Sequence, residues 1–164
     1  MSIELTNFID MSLEEKKMVL EWRNHEEIRK WMYNQDIISL ESHLSYIEHL
    51  KNSKSKRYFL IKKDNNYIGT IDFTNIDLEK RECYLGLYTK PHLKGVGDIL
   101  METIIEYAFG ALEINLLKLE VLESNRRAIN LYKRFNFKEF NREVVNGNRM
   151  IYMELRDETI KRGS

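Results

Sequence analysis

The sequence predicts an α/β (α+β) fold, with a mixed central sheet of about seven strands flanked by helices. Three observations carry this. Strand-like runs appear in four places: singly at the start, as three in succession in the middle, singly from Leu117, and in a closing pair. Helical runs with apolar spacing of three and four separate them. Two strand–turn–helix units follow one another, from Glu82 to Phe109 and from Leu117 to Phe137.

The elements read in order as follows. Ile3–Ile9 is a first strand. Ser12 and Glu15 form an S-x-x-E capping box that opens a helix through Met18, Val19, Leu20 and Trp22. Residues 22–33 form an amphipathic segment dense in polar and aromatic side chains. Ser39 opens another helix, with Leu40, Leu44 and Ile47 on one face and His43, Tyr46 and Leu50 on its neighbour. Strands at Arg57–Lys63 and Tyr67–Asn75 are joined by a turn at Asp64-Asn65-Asn66. A polar connection, residues 76–81, leads to a strand at Glu82–Thr89. Asp98–Phe109 is a helix, and Asn146-Gly147-Asn148 turns a hairpin between Lys138–Val145 and Arg149–Leu155. Residues 1–155 read as one domain, and residues 156–164, poor in apolar side chains, as a tail that frays.

Composition narrows the function. The chain has 164 residues, enough for one substantial core, and 43% hydrophobic with 32% charged content suits a soluble globular protein. Basic and acidic residues balance at 26 each, which gives no support to a nucleic-acid partner held by bulk charge. The single Cys83 cannot form an internal disulfide, and its apolar strand marks a structural thiol. No run approaches the length of a membrane span, and the acidic N-terminus is no signal peptide, so the expected location is the cytoplasm and no membrane partner is expected. No metal-ligand cluster is visible.

The organising stretch is His92-Leu93-Lys94-Gly95-Val96-Gly97, between a strand and a helix. Strand, glycine-bearing turn and helix N-terminus together present N–H groups to a phosphate, and glycines at 95 and 97 permit positive φ and close approach. Pro91 ends the strand's ladder. The spacing excludes both G-x-x-x-x-G-K-[ST] and a complete G-x-G-x-x-G. Together with Asn125, Ala128, Tyr132 and Phe137, the loop resembles the Gcn5-related N-acetyltransferase superfamily. That superfamily writes its acetyl-CoA loop [QR]-x-x-G-x-[GA] and its later signature N-x-x-A-x-x-x-Y-x-x-x-x-F. This chain departs at His92, where Gln or Arg is usual, and at Asn136, where glycine precedes the phenylalanine.

The resemblance implies that the fourth and fifth strands splay to admit acetyl-CoA as co-substrate, with no metal. It implies that the pyrophosphate rests on the N–H groups of Leu93, Lys94, Gly95, Val96, Gly97 and Asp98, that Leu87 and Tyr88 bind pantetheine, and that Asn125 belongs to the same site. Lys94 and Lys133 either add charge there or are solvated surface residues. Asp98 would repel phosphates unless it turns aside to cap the helix. Tyr132 is the candidate acid that protonates the leaving thiolate. For the base that frees the amine, Asp72 and Glu120 both qualify, with His25, His43 or a water as alternatives. Thr70, Asp72 and Thr74 share one face of the third strand by period two, a polar row that lines a pocket.

The N-terminal half is similar to the ribosomal-protein and amino-sugar branches of the superfamily. The stretches Arg23-Asn24-His25, Trp31-Met32-Tyr33, Ile38-Ser39-Leu40, His43-Leu44, residues 57–60 and residues 84–88 most resemble the N-acetyltransferases of the pseudaminic acid pathway. Those act on the 4-amino group of UDP-4-amino-4,6-dideoxy-N-acetyl-β-L-altrosamine, whose product feeds flagellin glycosylation. The resemblance assigns Arg23, His25, His43, Thr74 and Tyr88 to a nucleotide-sugar substrate, with Arg23 on the diphosphate. A monomer or homodimer is expected. Two other readings stand beside it: acetylation of a protein N-terminus or lysine, and a non-catalytic acyl-CoA sensor.

Overall fold

The computed structural model describes residues 2–158. Seven strands form one mixed sheet, flanked by helices, in the order β1-β2-β3-β4-β5-β7-β6. They are β1 (Ile3–Asn7), β2 (Arg57–Lys63), β3 (Asn66–Asp77), β4 (Glu82–Thr89), β5 (Leu116–Leu122), β6 (Lys138–Val145) and β7 (Asn148–Arg156). The helices are α1 (Leu13–Asn24), α2 (Glu26–Arg29), α3 (Leu40–Leu50), α4 (Gly97–Glu106) and α5 (Arg126–Arg134). The chain makes two compact units: residues up to Asp72 with Leu87–Val96, and Phe73–Gly86 with Gly97 onward.

In the first unit, β1 runs antiparallel to β2, from Ile3 opposite Lys63 to Asn7 opposite Phe59. The strand expected to reach Ile9 stops at Asn7. There the side chain of Asn7 accepts the Ile9 N–H at 3.1 Å and bends the chain into one 3₁₀ turn, Phe8–Asp10. The capping box forms as expected. Ser12 Oγ accepts the Glu15 N–H at 3.1 Å, and Glu15 returns a carboxylate to the Ser12 N–H at 3.0 Å. That second bond holds the Glu15 carboxyl below its ordinary range. Ser12→Ala removes one half of the box and is expected to lower unfolding stability by about 1 kcal/mol in urea titration. Phe8, Met11, Val19, Trp22, Ile47, Leu50 and Leu60 form the core, with Tyr58, Tyr67 and Tyr88 packed against it.

Helix α3 is capped by Ser39, but its buried stripe is His43, Ile47 and Leu50. Leu40 is exposed and Leu44 only half-buried, so the core lies one face round from the Leu40–Leu44–Ile47 row. The β2–β3 connection has Asp64 and Asn65 at φ +49° and +69°, two successive left-handed residues of a type I′ hairpin.

In the second unit, β4 and β5 pair in parallel over a short register: Glu82 opposite Leu116, Cys83 opposite Leu117, and Tyr84 opposite Lys118. β4 continues to Thr89 and β5 to Leu122. Antiparallel β7 pairs with β5 over Leu116–Leu122 and with β6 across the Asn146–Gly147 turn. The helix expected to reach Phe109 keeps α geometry to Glu106 and then widens into a π turn, Tyr107–Ala111. Tyr107 stacks on Phe73 at 5.1 Å. Arg156 ends β7 opposite Leu116, and the Asp157 N–H donates to the Asn115 carbonyl. The rest of the tail expected to fray lies, from residue 159, outside the described residues.

Candidate active site

In the first unit, β3 brings Thr70 and Asp72 to one face, as the period-two reading requires. Asp72 is recessed. Some of its surface is open, yet burial alone pushes its carboxyl from 3.8 up to about 7. Around it stand Tyr58 from β2 and Tyr88 from β4. Burial pushes the Tyr88 phenol up to about 12, opposed by a hydrogen bond with Thr70, and the Asp72 charge adds to the rise. Burial, and then Asp72, push the Tyr58 phenol far above its ordinary value. Tyr58 also shares a 2.8 Å hydrogen bond with the Tyr46 hydroxyl of α3. Neither Tyr58 nor Tyr46 stood out in the sequence as a site residue. The only signal was Tyr58's place in the Arg57-Tyr58-Phe59-Leu60 run.

Arg23, near the end of α1, faces the same phenols. Burial pulls its guanidinium below the ordinary value, while Tyr88 opposes this and Tyr58 adds a smaller opposition. Its Nη2 donates to the Asn34 carbonyl at 2.9 Å, whereas Nη1 is buried with no partner. It does not form the local surface pair its acidic neighbours suggest, because its donor goes across eleven residues to the irregular segment after α2. Asn24 and Arg29 hold that segment too. Asn24 exchanges two 2.8 Å bonds with Ile38, and Arg29 Nη1 donates to the Gln35 carbonyl at 3.0 Å.

His43 is buried on α3. Its Nε2 lies 2.9 Å from the Lys16 carbonyl, which can only accept, so Nε2 carries the proton. Burial pulls its imidazole below the ordinary value. This bond ties α3 to α1, a structural use that the sequence did not reveal. His25 caps α2, its Nδ1 accepting the Glu27 N–H at 3.1 Å, and its ring meets that of His92 edge-on at 5.0 Å.

The loop departs from its expected geometry at three points. Gly95 is left-handed at φ +81°, as foreseen, but the other left-handed residue is His92 at +68° and not Gly97. A Cβ on Gly97 would lie 3.3 Å from Leu131 Cδ2, so glycine there allows α4 to start against α5. The N–H of Leu93 is spent on the Lys90 carbonyl at 3.1 Å. The loop donors left for a phosphate are therefore those of Lys94, Gly95, Val96, Gly97 and Asp98.

In the second unit, Asp98 turns its carboxylate to Arg134 of α5 at 2.7 Å, an exposed pair that neutralises it. Lys94 and Lys133 are exposed. Asn125 caps α5, its Oδ1 accepting the Ala128 N–H at 3.3 Å. Tyr132 is buried on α5 with Phe137 at 6.0 Å, and its carbonyl accepts the N–H groups of Phe135 and Phe137. Thr74 is half-buried near the end of β3, and Glu120 is exposed on β5 opposite Tyr152. Among the described residues, no three His, Cys, Asp or Glu side chains gather as metal ligands, and no helix is long and apolar enough to cross a membrane.

Known proteins resemble this arrangement. The acetyltransferase PseH of Campylobacter jejuni serotype O:23/36 is 44% identical over 135 residues, which span 82% of this chain and 84% of that protein. The crystal structure of Campylobacter jejuni N-acetyltransferase PseH in complex with acetyl coenzyme A matches with a TM-score of 0.79 and 36% identity, over 96% of this chain and 100% of that one. Spermidine N-acetyltransferase from Vibrio cholerae, in complex with CoA and spermine, has a TM-score of 0.84 over 94% of this chain and 95% of its own; at 18% identity it shares the fold. The profile of the acetyltransferase (GNAT) family covers residues 17–137, and with that match and the identity to PseH, this chain belongs to the GNAT family of acetyltransferases.

Proposed function

We propose that the chain transfers acetyl from acetyl-CoA to the 4-amino group of UDP-4-amino-4,6-dideoxy-N-acetyl-β-L-altrosamine, the step that PseH-type enzymes supply to pseudaminic acid synthesis. The observation that carries this is Arg23, a recessed cation facing Tyr88 and Tyr58 with one buried donor nitrogen unpartnered. A donor left dry and unpaired costs about 1–3 kcal/mol, and a diphosphate oxygen would satisfy it. The segment bonded to Arg23, residues 30–39, has no regular structure and is the part that would yield to the acceptor. His25, His43, Thr74 and Tyr88 are assigned to the same acceptor by resemblance.

In this reading acetyl-CoA lays its pyrophosphate along the N–H groups from Lys94 to Asp98, and Asn125 and Lys133 are assigned to the cofactor by resemblance. The main chain at Leu87 and Tyr88 holds pantetheine and polarises the thioester carbonyl. β4 pairs with β5 over Glu82–Tyr84 and runs on to Thr89, which supports a cofactor lying along the rest of β4. Asp72 takes a proton from the ammonium, the neutral amine attacks the carbonyl carbon, the C–S bond breaks as Tyr132 protonates the departing thiolate, and the second proton lost from the nitrogen restores the phenol. The reaction belongs to the cytoplasm, which supplies acetyl-CoA, and needs one chain or a homodimer.

The test is free-thiol release with the UDP-amino sugar and with a panel of N-terminal peptides, with product masses. Acetylation of the sugar alone is expected. Acetylation of peptides alone would keep the enzyme and discard the acceptor, and cofactor binding without release would favour a sensor. Arg23→Ala should raise the KM for the UDP-sugar about tenfold or more, since a charge-assisted bond is lost, and spare the Kd of CoA. An unchanged KM removes Arg23 from the acceptor site.

A further inference from the structure

The acetyl-CoA loop carries a residue whose backbone is costly. His92 is a non-glycine side chain at φ +68°, a conformation that persists where neighbours over-determine it. The neighbours are both close to α2. Glu27 accepts the main-chain N–H of His92 on Oε2 at 3.3 Å and meets the ring Nδ1 with Oε1 at 3.4 Å. The His25 ring packs edge-on against the His92 ring at 5.0 Å, and His25 Nδ1 accepts the Glu27 N–H at 3.1 Å. The three residues thus close a ring of contacts that ties α2 to the loop. The loop's other main-chain ties here are Leu93 to the Lys90 carbonyl and Lys90 to the Ile68 carbonyl, both at its strand end.

We propose that Glu27 is a positioning residue for coenzyme A: its carboxylate fixes His92 in the left-handed conformation that aims the N–H groups of Lys94–Val96 at the pyrophosphate. The inference rests on the acetyl-CoA part of the function proposed above and is independent of the acceptor. A histidine offers Glu27 a second contact through its ring, while its main chain keeps the N–H that the carboxylate holds.

The proposal has an unusual sign. A carboxylate beside a phosphate loop should repel a polyanion, so on charge alone its removal tightens binding. On the positioning role its removal loosens binding. The experiment measures CoA affinity by calorimetry for wild type, Glu27→Gln, Glu27→Ala, His92→Ala and the Glu27→Ala/His92→Ala pair, with thermal unfolding beside it. Glu27→Ala should raise the Kd of CoA about three- to tenfold, the range of an exposed charge-assisted contact. Glu27→Gln keeps an oxygen for the His92 N–H and should stay near wild type. The double variant should lose no more than either single one, because both remove the same strap. In turnover assays KM for acetyl-CoA should rise in Glu27→Ala with kcat retained. Tighter binding in both Glu27 variants would overturn the proposal in favour of simple repulsion. Unchanged affinity in Glu27→Ala, or losses that multiply in the double variant, would overturn it as well. If wild type fails to bind CoA at all, the cofactor reading itself falls and the proposal with it.

Discussion

Tyr132→Phe is expected to lower kcat by about a hundredfold, the lower end of what a positioned general acid contributes, while the Kd of acetyl-CoA stays within about twofold. Expulsion of a thiolate gains from a proton arriving as the C–S bond breaks. A phenol near 10 passing its proton to a thiolate whose conjugate acid is near 8.5 is uphill by about 2 kcal/mol, a modest part of an acyl-transfer barrier. The substitution spares the ring and the main chain. Phenylalanine keeps the ring that packs by Phe137, and the Tyr132 carbonyl still closes the turn to Phe135 and Phe137. Asn125 still caps α5. Circular dichroism melting should show a small change, and rapid-quench measurement of a single turnover should show the loss in the chemical step. Equal single-turnover rates would remove Tyr132 as the acid and leave the thiolate to solvent.

The features legible in the sequence were those set by neighbours along the chain. The Ser12–Glu15 box, the Ser39 cap and the Asn146–Gly147 hairpin each depend on two to four residues whose chemistry fixes the backbone. Asp72 was legible as a member of a polar row because strand periodicity put it there, although nothing in the row could tell how far burial would move its carboxyl. Features that depend on distant partners were hidden. His43 read as an alternative base and a substrate residue on a face with Tyr46 and Leu50, but its ring is bonded to Lys16, 27 residues earlier. Arg23 was legible as a cation in the polar and aromatic segment after α1 begins, but its attachment to Asn34 runs through a stretch with no periodicity to read. Gly97 and His92 exchanged roles for a similar reason. A glycine's freedom is visible in sequence, whereas the Leu131 methyl that excludes a side chain, and the Glu27 carboxylate that holds a histidine left-handed, belong to other elements.

Asp72→Asn is the variant for which activity and stability should move in opposite directions. With its carboxyl pushed to about 7, Asp72 is ionised in part at neutral pH and fully above it, and only the ionised form can take the amine's proton. In wild type, kcat/KM for the acceptor should therefore climb through about pH 7. The variant should lose that limb and fall about a hundredfold or more at pH 8. The same shift fixes the sign for stability. A carboxyl raised above its ordinary 3.8 holds a proton in the folded state that the unfolded chain has released. Its favourable contribution is complete below 3.8 and is lost as pH rises to about 7, so above 7 the folded protein carries a desolvated charge. Asparagine is never charged. The variant should accordingly melt higher than wild type at pH 8, with the gap closing toward pH 4, where both side chains are neutral. Should the variant keep its pH limb and melt lower at pH 8, the base lies elsewhere. Glu120, exposed on β5, would then be the carboxylate to substitute next. A limb lost together with a higher melting point has a single physical source: a carboxylate kept out of water at a cost in stability so that it can accept a proton near neutral pH.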